Sequence, residues 1–262
     1  MLSYVTHGDP ESPAIVLLHG FLGSAADWDL VAYALSEGFF CVAPDLPGHG
    51  GSVGLPDGSY TMEGTARAIG GLMDDIGIQR ATIAGYSMGG RLALYLALRH
   101  SERCASLFLE SASPGIESEE ERAVRRKADE ERARRLEFGD FDEFLRDWYT
   151  QPLFASLARR EGMVRELIES RKNNDPAELA KSLRGMGTGS QPSLWGELPG
   201  LRVPSILVAG QLDEEFVRVV HRMASLLHKT RVFTVPDVGH NLHLESPNEY
   251  TRLLRDTAGW WA

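Results

Sequence analysis

The chain has 262 residues, 43% of them apolar and 24% charged, a balance that supports a substantial core without metals or disulfides. Its formal net charge of −10 argues against nucleic acid or an anionic membrane surface as a partner, and an anionic ligand would need a locally basic pocket. The opening MLSYVTHGDP has neither a basic nor an apolar leader segment, and no apolar run reaches the roughly 18 residues of a membrane span, so a cytoplasmic protein is expected.

In chain order, short apolar runs alternate with amphipathic stretches. AIVLLHG (14–20) and FCVAPD (40–45) read as buried strands, and TMEGTARAIGGLMDDIG (61–77) as a helix. ATIAGYS (81–87) is a third strand, GGRLALYLALRH (89–100) a second helix and SLFLES (106–111) a fourth strand. SILVAG (205–210) and TRVFTVPD (230–237) complete the set. These runs lack clean polar/apolar alternation, as strands covered on both faces do. Strand–helix alternation of this kind predicts an α/β fold with a mostly parallel sheet and helices on both faces.

The alternation breaks between about 114 and 199, where the chain is charge-rich, then aromatic, then rich in Gly, Ser and Pro. This segment is expected to be a helical lid over one end of a core made by residues 1–113 and 200–262. Its charged run offers the i,i+4 pairs Glu121/Arg125, Glu130/Arg134 and Glu131/Arg135, the pattern of a solvated helix. Arg122 is less comfortable there, with Arg125 and Arg126 at i+3 and i+4. Glu119 or a bound anion would relieve it. Cys41 and Cys104 lack metal or redox spacing and are expected to be buried, inert thiols.

GYSMG (85–89) fits G-x-S-x-G between a predicted strand and a predicted helix, the context that gives the pattern meaning. The glycines permit a sharp turn that lifts the Ser87 hydroxyl towards a helix N-terminus. A serine needs a base. VPDVGHNLHLESP supplies His240 after Gly239, with His243 expected to be a structural neighbour. The acid is expected at Asp213 in LVAGQLDEEF, in preference to Asp237, which occupies a turn position. Oxyanion donors are expected from the backbone N–H groups of Met88, after the nucleophile, and Phe21, in LLHGFLGS. GHGGS (48–52) lacks phosphate-loop spacing and reads as a plain loop. No metal-ligand set or dinucleotide fingerprint is visible, so neither metal nor cofactor is expected.

LHGFLGSAADW, DLPGHGGS, GYSMGG, GQLD and GH, in that order, resemble the α/β-hydrolase superfamily over nearly the whole chain. That resemblance does not select a reaction. GYSMGGR, SPGIESEEERAVRRKAD, DWYTQPLFASL, ESRKNN, GTGSQPSLW and GHNLHLESP narrow it. Together they resemble the menaquinone-pathway lyases that make 2-succinyl-6-hydroxy-2,4-cyclohexadiene-1-carboxylate. The resemblance implies a Ser87–His240–Asp213 triad that eliminates pyruvate from a small polycarboxylate. It also implies a substrate site lined by Tyr86, Arg91, Arg122, Trp148 and Arg171, with Phe154 adjacent, and leaves open whether Arg122, Arg125 or Arg126 is the one that reaches the ligand. Glu117 follows SPGI where a neutral amide is expected, and would oppose a polycarboxylate if it faced the pocket. The competing readings are a carboxylesterase or C–C hydrolase using Ser87 as covalent nucleophile, and a non-catalytic binding protein on the same fold.

Overall fold

The computed structural model describes residues 1–259. Among them seven strands form one sheet: β1 (Tyr4–His7), β2 (Ala14–Leu18), β3 (Phe40–Pro44), β4 (Ala81–Tyr86), β5 (Cys104–Glu110), β6 (Ser205–Gly210) and β7 (Thr230–Val235). The sheet order is β1-β3-β2-β4-β5-β6-β7, parallel except for the antiparallel pairing of β1 with β3. Six of the strands carry the apolar runs of the sequence. β1 does not, because it is an edge strand whose side chains are largely exposed, so it has no buried-strand signature to read.

The ten helices described are α1 (Asp29–Leu35), α2 (Met62–Asp75), α3 (Met88–Arg99), α4 (Glu119–Phe138), α5 (Phe141–Tyr149), α6 (Met163–Arg171), α7 (Pro176–Met186), α8 (Glu214–Ala224), α9 (Leu242–Glu245) and α10 (Pro247–Gly259). Alternate residues of a strand point to opposite faces, and β2 shows the result. Its Val16 and Leu18 pack with Ile69 of α2, Leu92 of α3 and Met223 of α8. Its Ile15 and Leu17 pack with Trp28, Leu35 of α1 and Leu253 of α10. A helix layer therefore covers each face. None of the described helices is long and apolar enough to cross a membrane.

Between β5 and β6 the chain is helical and holds α4 to α7. Its boundaries are chemically marked. Ser118 caps α4 by accepting from Glu121 N–H (3.3 Å), Asp140 caps α5 through Glu143 N–H (2.7 Å), and Asp175 caps α7 ahead of Pro176. Each such cap is worth about 1 kcal/mol. Leu22 of the core inserts among Leu136, Phe144, Leu179 and Leu183 of these helices. A buried bidentate ion pair, Arg171 Nη1 and Nη2 to Asp27 (2.6 and 2.9 Å), fastens α6 to the loop after β2.

The charged run is the helix α4, but two of its expected pairs form elsewhere. Arg125 turns to Asp129 (2.7 Å), a buried carboxylate that needs cations more than solvated Glu121 does. Arg135 crosses to Asp147 of α5 (2.6 Å). Arg134 does meet Glu130 (3.1 Å). Cys41 and Cys104 are buried, and burial pushes both thiols up to about 12.

Candidate active site

Ser87 lies in the sharp turn between β4 and α3, with φ 49° and ψ −108°, a region a non-glycine residue enters only under constraint. Its N–H is held by the Glu110 carbonyl (2.9 Å). The turn requires its glycines. A Cβ at Gly89 would lie 2.1 Å from the Leu18 carbonyl oxygen, and one at Gly85 would lie 2.4 Å from that of Gly89.

Three distant chain segments meet here. His240 Nε2 lies 3.3 Å from Ser87 Oγ, and His240 Nδ1 lies 2.6 Å from Asp213 Oδ2. With Nδ1–H donated to the carboxylate, Nε2 faces the serine as an acceptor, the orientation a base needs. Asp213 is itself held at the start of α8, where it accepts the Phe216 N–H (3.4 Å). Asp237 does not reach the imidazole; it occupies a turn at φ 58°.

Met88 opens α3, so its N–H has no intrahelical acceptor. Phe21 sits in a turn closed by Gly23 N–H to the Gly20 carbonyl (3.0 Å). The next N–H, of Leu22, is taken by His49 Nε2 (3.2 Å). Two buried histidines brace this turn. His19 donates Nδ1–H to the Gly20 carbonyl (2.8 Å) and accepts Leu46 N–H at Nε2 (2.9 Å). His49 donates Nδ1–H to Pro47 (3.2 Å). Burial lowers both imidazoles, His49 well below the usual range, and each is neutral because Nε2 must accept.

A cavity of about 470 Å³ opens over Ser87, Met88 and His240. Phe21, Trp148, Trp195 and Phe216 give it aromatic walls, and Arg91, Arg125 and Arg132 are its guanidinium side chains. Arg91, one helical turn after Ser87, is 9% exposed. Its Nη1 donates to the Met186 carbonyl (2.9 Å) and Gln191 Oε1 (2.6 Å), both neutral. Burial, and then Arg125, push this guanidinium down to about 10, so it remains cationic at neutral pH.

The remaining sequence candidates are placed outside the cavity lining. Arg171 is committed to Asp27 and to Tyr149 Oη (3.2 Å). Burial alone would lower Arg171, but Asp27 and Tyr149 outweigh it and raise it. Arg122 pairs with Glu119 on its own helix. It stands one turn before Arg125, which lines the cavity. Tyr86 lies behind the elbow, its ring 5.3 Å from His240 and 4.6 Å from His243. Phe154 meets His240 edge-on at 6.2 Å. Glu117 turns outward to Arg222 (2.7 Å), which holds its carboxyl below the usual range and itself stacks on Trp195 (3.9 Å).

Two buried carboxylates support the site from behind. Glu110 grips His243 through both its ring Nδ1 (2.9 Å) and its backbone N–H (3.1 Å). Glu245 accepts the N–H of Gly239 (3.1 Å), directly before His240, and the hydroxyl of Ser156 from the helical segment (2.8 Å). Sequence reasoning gave no individual role to Arg132, Trp195, Gln191 or Glu245, although the last three lie within the motifs GTGSQPSLW and GHNLHLESP. For Arg132 a signal existed: Arg125, Asp129 and Arg132 recur at i, i+4 and i+7 along one helical face. Among the described residues no cluster of three or more His, Cys, Asp or Glu could hold a metal ion.

A strained serine on the β4–α3 elbow, with an aspartate just after β6 and a histidine just after β7 in hydrogen-bonding reach of one another, is the arrangement of an α/β-hydrolase fold. A family profile described as alpha/beta hydrolase fold matches residues 13–247, and the chain belongs to that family. Within it, several of the similar curated proteins are named for one reaction, while an enol-lactonase from Burkholderia xenovorans also shares the fold at 25% identity and a TM-score of 0.84, covering 98% of this chain and 95% of its own. The 2-succinyl-6-hydroxy-2,4-cyclohexadiene-1-carboxylate synthase of Salmonella newport is 32% identical over 94% of this chain and 95% of its own. A Bacillus subtilis protein is 34% identical over 95% of this chain and 91% of its own. The solved structure of MenH from S. aureus superposes with a TM-score of 0.93 at 30% identity, covering 98% of each chain.

Proposed function

We propose that this protein eliminates pyruvate from 2-succinyl-5-enolpyruvyl-6-hydroxy-3-cyclohexene-1-carboxylate to give 2-succinyl-6-hydroxy-2,4-cyclohexadiene-1-carboxylate, a step of menaquinone biosynthesis. Ser87, His240 and Asp213 supply the base. The observation that carries this reading is Arg91: a buried cation with neutral hydrogen-bond partners, in the wall of the cavity that opens over Ser87 and His240. An ester of a neutral alcohol and acid has no use for it. A ring bearing three carboxylates does, because guanidinium binds carboxylate through two parallel hydrogen bonds. Arg125 extends the same chemistry outward, and Trp148 and Trp195 offer flat apolar faces to the ring.

The C2 proton lies next to the succinyl ketone, so its removal places charge on the ketone oxygen. His240 Nε2 takes the Ser87 hydroxyl proton as the Ser87 oxygen takes the ring proton. The imidazolium is held by Asp213. The enolate oxygen lies against the N–H groups of Met88 and Phe21, and one such donor is worth about 3 kcal/mol in a site of this kind. The electron pair then moves through the ring double bond, forms C2=C3 and C4=C5, and breaks the C5–O bond. The departing enolate gains one proton and becomes pyruvate, which balances the proton lost from C2. In this reading residues 114–199 act as the lid that carries Arg125 and Trp148 over the ring.

Incubation with this substrate, following pyruvate and testing a p-nitrophenyl ester in parallel, decides the matter. Rapid pyruvate release is expected. Ester turnover without pyruvate would instead identify a carboxylesterase or C–C hydrolase, and inactivity on both would identify a binding protein.

A further inference from the structure

We propose that Arg132 forms an outer carboxylate subsite, taking the substrate carboxylate that lies furthest from Ser87. This rests on the reading above that the ligand is a polycarboxylate. Anions are short on this face of α4. Asp129, whose side chain is 4% exposed, is shared by two cations of α4. Its Oδ1 accepts Arg125 Nε at 2.7 Å and Arg132 Nη1 at 3.3 Å, while its Oδ2 accepts the Gly189 N–H at 3.2 Å. One carboxylate therefore serves two guanidinium groups and a backbone donor. Arg132 holds the weaker share, a single long bond from one of its nitrogens.

The neighbours of Arg132 are better matched. Arg134 has Glu130 at 3.1 Å and Arg135 has Asp147 at 2.6 Å, and neither lines the active-site cavity. Arg132 does line it, with its side chain 34% exposed, so it stands at the rim where a ligand can reach it without displacing packed groups. Three guanidinium groups thus face the cavity, with Glu215 as the carboxylate in its lining and that residue in contact with solvent. The substrate brings three carboxylates. Arg91 stands beside the nucleophile, Arg125 is tied closely to Asp129, and Arg132 is the cation free to turn from Asp129 onto the outermost carboxylate. That exchange leaves Asp129 with Arg125 and Gly189, so no buried charge is stranded.

The test compares Arg132→Gln, Arg132→Lys and Arg134→Gln with the unaltered protein. Pyruvate release gives KM and kcat, and calorimetry gives the Kd of 2-succinylbenzoate, the dehydrated aromatic counterpart of the product. Arg132→Gln should raise KM and probe Kd about tenfold, as losing a charge-assisted hydrogen bond does, with kcat within about twofold. Arg132→Lys should fall between, since it keeps charge but not the fork. Arg134→Gln removes the same net charge outside the cavity and should change nothing. A rise below about threefold in Arg132→Gln, or an equal rise in Arg134→Gln, overturns the subsite. If the unaltered protein releases no pyruvate, the proposed reaction fails, and the probe affinities still decide the subsite. If it does not bind the probe either, both fail.

Discussion

Single side chains divide the work between a reacting oxygen and the charges around it. In the proposed mechanism His240→Ala and Ser87→Ala remove the base, and each should lower kcat by at least about 10³-fold while thermal unfolding is unchanged. Arg91→Met should lower kcat/KM by about 10²-fold, because its place near the serine lets it hold the substrate in register as well as bind it. A pH effect follows from the histidines that brace the turn carrying Phe21. His19 and His49 are lowered by burial relative to their unfolded value of about 6.5. Below that pH the unfolded chain binds protons that the folded chain refuses, so stability falls as pH drops from about 6.5 towards the lower folded values. His49→Gln keeps an acceptor for Leu22 N–H but cannot titrate. Its melting temperature should therefore decline less than that of the unaltered protein between about pH 6.5 and 5, and parallel declines would show that His49 contributes nothing to the acid limb.

Elements explain why those side chains stay in place, and also which positions the sequence makes legible. The elbow was readable because its constraint is local: Gly85 and Gly89 sit where any Cβ strikes backbone oxygen, and the same spacing is visible as letters. The partner of Arg171 was not readable, because Asp27 lies far away in sequence and the pairing depends on how α6 docks. The consequence is measurable. Arg171→Met leaves a buried aspartate uncompensated and should destabilise the protein by about 3–5 kcal/mol, whereas the double variant with Asp27→Asn should recover much of it. An Arg171→Met protein with an unaltered melting temperature but a raised KM would place this arginine with the substrate instead. The choice among Arg122, Arg125 and Arg126 was not legible either. The charge pattern singles out a run of arginines, but one turn of helix separates Arg122 from the cavity that Arg125 and Arg132 line, and only the docking of α4 sets that offset. The exposed edge strand β1 escaped for the opposite reason, having no buried face to impose a pattern.

Taken as a whole molecule, the chain carries a net charge of −10 yet concentrates three guanidinium groups around one cavity of about 470 Å³. The alternation of apolar runs and amphipathic helices dictates the sheet and its two helix layers, and this architecture brings Ser87, Asp213 and His240 to one end of it. The proposed mechanism assigns Ser87 a proton rather than an acyl group, and charge at the cavity is what favours that choice. Binding should accordingly weaken with added salt, since Arg132, partly exposed at the rim, is screened across a Debye length of about 10 Å at 0.1 M, while kcat should hardly move. The most direct test is to sample the intact mass of the protein during multiple turnovers of the enolpyruvyl substrate while pyruvate accumulates. Pyruvate in large molar excess with the protein mass unchanged is the predicted result; a substrate-derived mass added at Ser87 during turnover would contradict it.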